Sequence, residues 1–324
     1  MHYMQNPFTS AFVALTVLVA CAADIALAQT FPTKPVRVVA GSPGGGNDFL
    51  ARLLAPALTV SLKQQVIVDN RPSGVIPFDL VAKAEPSGYT LLIAGNDFWI
   101  GPLVQKTPYD PVRDFVPVIL AASAPNVMVV HPSVPANDVK QFISFARAEK
   151  GEVRYASSAR GGVSHLAAEL FKSMAGVGML HVPYKGTGPA LTGLISNEVH
   201  LMFPNLAAAA PHVKSGRLKA LAVTTAKPTQ FFPELPTVAA SGLAGYQSAT
   251  VYGYFAPRAT PATIVQFLNR EIGRVLTRPD LKERLQAAGV EAVAGSGEEL
   301  GAFVKADIAR LGRVIKENGI RADN

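Results

Sequence analysis

Short runs rich in β-branched residues recur along the chain, and each is followed by a stretch whose apolar residues fall at helical spacing. Residues 36–40 predict a strand, and 47–62 a helix with Leu50, Leu53, Leu54, Ala57 and Leu58 on one face. Strands at 66–68 and 89–94 flank a short helix at 78–84. The alternation resumes with a strand at 126–130, a helix at 139–149, a strand at 153–156 and a helix at 164–174. Strands near 179–182, 199–203 and 218–223 follow, and the tail predicts helices at 264–276, 281–288 and 298–315. Alternation of this kind implies an α/β fold of parallel strands flanked by helices, with ligand sites at the carboxyl ends of the strands.

Two extended stretches, 116–130 and 249–256, are not followed at once by a helix that closes a unit. They read as strands crossing between two lobes. Lobe 1 is then discontinuous, residues 29–125 with 253–324, and lobe 2 is residues 126–252. The first 28 residues are an address. Residues 11–20 are an apolar run too short to span a membrane comfortably, and Ala26-Leu27-Ala28 fits a small-x-small cleavage site. Leu18-Val19-Ala20-Cys21 also resembles a lipoprotein box, so lipid attachment at Cys21 stands beside soluble export. In both cases the protein is exported to the periplasm.

Composition narrows the classes. The 324 residues are 49% apolar, enough for real cores, and only 16% are charged. The net charge of +7 is scattered, without the basic run of a nucleic-acid arm. A single cysteine allows no internal disulfide and no CxxC metal or redox pair. The six histidines form no HExxH and no i, i+4 pair, so no metal or other cofactor is expected.

The candidate chemistry lies in three loops of one design: a strand end, small residues, then a helix start. They are Gly41-Ser42-Pro43-Gly44-Gly45-Gly46-Asn47-Asp48, Ser157-Ser158-Ala159-Arg160-Gly161-Gly162-Val163-Ser164, and Tyr184-Lys185-Gly186-Thr187-Gly188-Pro189. Glycine lets the backbone approach a ligand, and the free N–H groups of a helix start favour an anion. Any one such loop is also what a tight turn before a capped helix looks like; three in succession point to a shared anion site. Neither G-x-G-x-x-G nor a G-x-x-x-x-G-K-[ST] loop is present, nor a G-x-S-x-G nucleophile elbow. Trp99 and Phe98, beside Asn96 and Asp97, read either as pocket lining or as core.

These residues resemble the solute-binding proteins of tripartite tricarboxylate transporters, the Bug (TctC-type) family. The resemblance runs through Phe31-Pro32-Thr33-Lys34-Pro35-Val36-Arg37, Pro43-Gly44-Gly45 with Asp48, Asn70-Arg71-Pro72 and Gly88-Tyr89-Thr90-Leu91-Leu92. It continues through Pro108-Tyr109-Asp110-Pro111, His165-Leu166-Ala167-Ala168-Glu169 and His181-Val182-Pro183-Tyr184-Lys185-Gly186, and ends at Pro233-Glu234-Leu235-Pro236-Thr237. It implies a two-lobed periplasmic-binding-protein type II fold, two mixed sheets flanked by helices and joined by two crossing strands. It further implies a non-catalytic, monomeric receptor that closes on a small carboxylate and hands it to membrane permease subunits. Carried over, the ligand contacts are Gly44, Gly45, Gly46, Asn47 and Asp48 from one lobe. The facing lobe gives Ser158, Gly161, Gly162, Ser164, Tyr184, Lys185, Gly186 and Thr187.

Where the chain departs from the family pattern, Ser73-Gly74-Val75-Ile76-Pro77-Phe78 replaces a glycine-rich stretch, and Arg160 and Val163 replace small polar residues. Pro204 stands before Asn205 in place of an acid, and Asp97 and Trp99 lie in an altered loop. Asn96, Asp97, Arg160 and Asn205 therefore join the candidate site, and a ligand with a larger apolar or aromatic body beside its carboxylate is expected. Two rival readings remain. An enzyme on this scaffold has only Asp48, Asp97, Tyr184 and Lys185 as titrating groups, and a sensing subunit needs the same two-lobed closure.

Overall fold

The computed structural model describes residues 31–72, 74–149 and 152–321. The expected signal peptide, its cleavage site at Ala26–Ala28 and Cys21 lie outside the described residues. In chain order the first elements are β1 (Val36–Ala40), α1 (Gly46–Leu62), β2 (Val66–Asn70), α2 (Ile76–Ala82), β3 (Thr90–Ala94), α3 (Asp97–Val104), β4 (Phe115–Pro125) and β5 (Val127–Val130). Next come α4 (Val139–Ala148), β6 (Arg154–Ser157), α5 (Val163–Ala175), β7 (Leu180–Pro183), α6 (Thr187–Ile195), β8 (Leu201–Met202), α7 (Leu206–Lys214) and β9 (Lys219–Val223). The chain closes with β10 (Ala249–Pro257), α8 (Ala262–Leu276), α9 (Pro279–Ala287), β11 (Glu291–Ala292) and α10 (Gly297–Glu317).

The strands make two mixed sheets, ordered β11-β4-β10-β3-β1-β2 and β7-β6-β8-β5-β9. In the first, β1 pairs in parallel with β2 on one side and β3 on the other. In the second, β6 pairs in parallel with β7 and β8 in the same way. Each lobe therefore has a strand where the chain order reverses, and the crevice outside the carboxyl end of such a strand is where open α/β sheets bind ligands.

Burial follows the strand period. Val38 and Ala40 face a core built with Leu50, Leu54, Leu58, Leu268 and Ile272, while Val39 faces one built with Phe78, Phe98, Trp99 and Leu300. Both faces of the first sheet are covered, which is why β1 ends in the unbroken apolar run Val38-Val39-Ala40 rather than an alternating one. The second sheet is covered likewise, by Phe142, Tyr155 and Phe171 on one face and Leu191, Leu194 and Leu206 on the other.

β4 and β10 run antiparallel across the middle of the first sheet, from Phe115↔Pro257 to Pro125↔Ala249. β4 passes directly into β5 of the second sheet through Asn126, whose carbonyl accepts from Thr224 N–H at 3.0 Å. On the return, β10 is paired with β4 from Ala249 onward. The ladder is irregular between Tyr252 and Gly253. That bulge re-aims Tyr252, and an apolar run alone does not reveal where sheet pairing begins. Helix α10 adds a further tie: Leu300, Val304 and Leu311 lie in the lobe 1 core, and Val314 reaches the lobe 2 core.

Candidate functional site

The loops that follow β1 and β6 are built alike. After β1, Gly45 N–H donates to Ser42 C=O at 3.3 Å, and Gly44 N–H donates to Asp48 Oδ2 at 2.8 Å. After β6, Gly162 N–H donates to Ala159 C=O at 3.3 Å, and Gly161 N–H donates to His165 Nδ1 at 2.9 Å. Gly45 and Gly162 are the N-caps of α1 and α5, both extended and both without a side-chain cap. Helices α4, α7 and α10, by contrast, are capped by the side chains of Asp138, Asn205 and Ser296. A glycine cap leaves the first-turn N–H groups to an outside acceptor, at the positive end of the helix dipole.

The third loop joins the second. Gly186, at φ 112, caps α6 without a side chain, in a conformation that glycine adopts readily. Its N–H donates to Ser158 C=O at 2.9 Å. Ser158 N–H in turn donates to Ser164 Oγ at 3.0 Å, and the two hydroxyls lie 3.0 Å apart. Thr187 is the first residue of α6 and is half-buried. Lobe 2 thus presents two helix starts side by side, and lobe 1 presents one.

Asp48 and His165 hold these loops rather than offering themselves to a ligand. Asp48 is 5% exposed and accepts from Arg52 Nε at 2.7 Å and Asn70 Nδ2 at 2.8 Å as well as from Gly44. Burial pushes its carboxyl up, but the Gly44 amide, Asn70 and Arg52 outweigh that and hold it below the usual range. His165 stacks on His181 with ring centroids 3.9 Å apart, and both lie against Tyr155. Burial first, then His181, Arg160 and Lys172, lower His165 to about 3, so the ring is neutral and Nδ1 is free to accept. Tyr155 donates to the buried Glu169, which Lys172 pairs at 2.6 Å.

Between the lobes, Gly44, Gly45, Gly46, Phe49, Leu50, Ala124, Tyr252, Ala288 and Val290 meet Asn205 of lobe 2 around a cavity of about 270 Å³. Gly46 is dictated by Tyr252, because a Cβ there would overlap the Tyr252 hydroxyl. Phe49 and Tyr252 form the apolar wall, and neither was singled out from the sequence. The signal for Phe49 was there, since it is an aromatic residue on the glycine side of α1, off the buried Leu50/Leu54/Leu58 stripe. A larger groove of about 820 Å³ lies wholly in lobe 1, between β4, α8 and α10, and touches none of the three loops.

The other candidates divide. Asn205 places its side-chain oxygen on Ala207 N–H at 2.9 Å and faces the glycine loop. Asn96 is spent internally: its Oδ1 accepts from Val251 N–H at 2.8 Å and its Nδ2 donates to Asp307 at 3.3 Å. Tyr184 turns along α6 against Gly193 and donates to Glu198 at 3.1 Å. Arg160 and Lys185 are exposed. Phe98 and Trp99 are core, not lining: both are fully buried, and Trp99 Nε1 donates to Asp307 Oδ2 at 2.8 Å. Phe78 is buried with them, so the aromatic departures Phe78 and Trp99 fill the lobe 1 core rather than widening the cavity. Asp97 opens α3, and the protein packed around its carboxyl takes water from it. That desolvation pushes the carboxyl up against the opposing pull of the Asp97, Phe98 and Gly95 amides. Among the described residues, no group of His, Cys, Asp and Glu is placed to hold a metal ion, and no helix is long and apolar enough to cross a membrane.

The family model described as the tripartite tricarboxylate transporter family receptor matches residues 50–320. Protein BugT of Bordetella pertussis is 33% identical over 300 residues, covering 91% of this chain and 92% of its own. The solved structure of the R. palustris protein Rpa4515 with adipate is 39% identical, with a TM-score of 0.72 over 90% of this chain and 99% of that one. A TctC solute-binding protein from Polaromonas, solved with no ligand, is 27% identical, with a TM-score of 0.83 over 89% of this chain and 100% of that one.

Proposed function

We propose that this chain, which belongs to the tripartite tricarboxylate transporter receptor family, captures a small organic carboxylate between its two lobes and delivers it to the permease of such a transporter. The family is a class of periplasmic solute-binding receptors. The observation that carries the reading is the pair of matched loops, each ending a reversal-point strand and each opening a helix on an uncapped glycine. No Arg or Lys is needed at such a site. A hydrogen bond to a charged group is worth about 1.5–3 kcal/mol net, and four or five from opposed loops outweigh the cost of association and reach micromolar affinity near about −8 kcal/mol.

Closure follows from where these groups sit. The ligand gains its full set of contacts only when both lobes touch it, so it binds the closed form better and shifts the population toward it. Among the described residues the moving parts are 31–125 with 249–321, against those between 126 and 248, hinged where β4 passes into β5 and where the chain returns to β10. The higher TM-score against the ligand-free Polaromonas protein than against the adipate-bound one, despite lower identity, supports reading this conformation as the open one.

The test is calorimetric titration and small-angle scattering of the purified protein with a panel of C4–C8 mono- and dicarboxylates, adipate among them. At least one acid is expected to bind in the micromolar range or tighter, with a smaller radius of gyration when bound. Binding of none, or binding without compaction, overturns the reading.

A further inference from the structure

The two lobes meet at a point other than the strands that join them. Gly289 lies between α9 and β11 of lobe 1, against Ala207 in the first turn of α7 in lobe 2. A Cβ on Gly289 would stand 2.3 Å from Ala207 Cβ and 3.2 Å from Ala207 Cα. The approach is therefore between backbones, with no flexible side chain to give way. Two residues on, Glu291 accepts from the hydroxyl of Thr229, a buried residue of lobe 2. One contact is steric and the other a hydrogen bond, and both join the same two pieces of the fold.

Each piece is stiff. Gly289, at φ 69, follows α9 with its N–H on Gln286 C=O, and Val290 N–H takes Leu285 C=O, both at 2.9 Å. Leu281, Leu285 and Val290 belong to the lobe 1 core. Opposite, Asn205 Oδ1 holds the Ala207 N–H, and Phe232, three residues after Thr229, shares a core with Leu206 and Ala209. The junction also sits beside the crossing. Glu291 pairs with Ser123 of β4, and Asn205 bridges Asn126, where β4 passes into β5. The lobes touch again where Val163 and Leu166 of α5 meet Arg310 and Leu311 of α10. There side chains face side chains and can slide past one another; at Gly289 there is nothing to slide.

Resting on the reading of the interlobe cleft as a carboxylate site that closes by rotation, we infer that this junction is the fulcrum of closure and Gly289 its positioning residue. Lobe 2 turns on the Gly289–Ala207 contact, which stays shut throughout. The lining of the cavity agrees. Ala288 and Val290, on either side of Gly289, share it with Asn205, two residues before Ala207. The β6 and β7 loops, with Ser158, Gly161 and Gly186, do not line it in this conformation and reach it only when lobe 2 turns. A contact without slack at the fixed end converts that turn into approach at the loops. A wedge there would hold the lobes apart and shrink the fraction of molecules able to close, which weakens the apparent affinity by the same factor.

The experiment reads the junction with and without cargo. In ligand-free protein carrying Thr229→Cys and Glu291→Cys, a short bis-thiol cross-linker should join the pair. The joined protein should bind the acid of the C4–C8 panel that wild type binds most tightly, within about threefold of its affinity before cross-linking, and should still compact on binding. In parallel, Gly289→Ala should bind that acid about tenfold or more weakly, and adding Ala207→Gly, which removes the struck Cβ, should restore part of the affinity. The melting temperature should fall in Gly289→Ala, because alanine is strained at φ 69, and should not recover in the double variant, because glycine weakens a helical turn. Affinity that recovers without stability marks positioning; a purely structural role moves both together. The inference is overturned if the pair does not cross-link, or if the joined protein no longer binds or compacts. It is equally overturned if Gly289→Ala binds as wild type does, or gains nothing from Ala207→Gly. Failure of every acid to bind wild type would instead overturn the carboxylate reading, and cross-linking of the ligand-free protein would still test the junction.

Discussion

Asp48 does in lobe 1 what His165 does in lobe 2: each, in the first turn of its helix, accepts the N–H of the glycine four residues before it, Gly44 at 2.8 Å and Gly161 at 2.9 Å. One acceptor is a carboxylate and the other a neutral imidazole, yet the turn, the cap and the outward-facing amides are the same. The two halves of the site thus solve one backbone problem with different chemistry. Each side chain pins a loop whose free N–H groups are left for a ligand.

The first consequence concerns Asp48. Asp48→Ala removes the acceptor of Gly44 N–H and one of two acceptors of Asn70 Nδ2, which keeps Gly41 C=O, while the Arg52 side chain, 56% exposed, recovers water. We expect a loss of about 1–3 kcal/mol in urea unfolding and a weaker ligand affinity, because the loop loses its brace. Asp48→Asn keeps an oxygen for Gly44 and should recover part of both. Equal affinity in wild type and Asp48→Ala would show that the loop does not need the brace.

His165 makes stability depend on pH. Its folded value near 3 lies below the ordinary value of 6.5, so between the two the unfolded chain takes a proton that the folded chain refuses. Stability is therefore unaffected by this group above about 6.5 and falls as pH drops from there toward about 3. His181 is stacked on the ring, and Arg160 and Lys172 repel the charged form, so all three act in the same direction. His200, also held low, adds a contribution of the same sign. Carboxylates held low, such as Asp48 and Glu271, lose their contribution only at pH values near or below about 4. Urea midpoints at pH 7 and pH 5 should separate in wild type and draw together in His165→Asn, whose side-chain oxygen replaces Nδ1 as the acceptor. An unchanged separation would remove His165 from the account.

Much of this was readable from the residues. The three glycine loops stood out because a strand end, small residues and a helix start recur, and the structure gives each loop an uncapped helix. Helix α3 was not seen: Gly101 and Pro102 interrupt it, and Phe98, Trp99 and Ile100 are all buried, so no polar face marks its period. For the same reason the sequence left Trp99 open between lining and core, and the structure makes it core. The approach of Asn47, Asp97 and Val251 to one another around Gly95 was illegible because they are ordinary residues in their own segments. Only the return of β10 beside β3 brings them together.

Gly46 tests the interlobe cavity from another side. It is the first residue of α1, where alanine suits the helix, but a Cβ would meet the Tyr252 ring. Gly46→Ala should therefore leave the melting temperature nearly unchanged while displacing Tyr252 into the cavity, with affinity lowered about tenfold or more for a bound acid. Adding Tyr252→Phe removes the hydroxyl that is struck first and should restore part of the affinity. If Gly46→Ala binds as wild type does, the cavity beside it is not where the ligand sits.

Trp99 gives a built-in report on the whole arrangement, since it is the sole tryptophan. It is fully buried, and its N–H is held by Asp307, which also accepts from Asn96 and pairs with Arg310. Emission should be blue-shifted and poorly quenched by acrylamide. Asp307→Ala would leave the Trp99 and Asn96 donors unpaired and deprive Arg310 of its partner, at a cost of about 3 kcal/mol. Asp307→Asn, which keeps one acceptor oxygen, should cost less. Because Asn96 also ties Val251 to the start of α3, the alanine variant should in addition weaken the affinity for whichever acid the wild type binds. A variant that shows the expected fluorescence change with affinity intact would separate the core network from the ligand site.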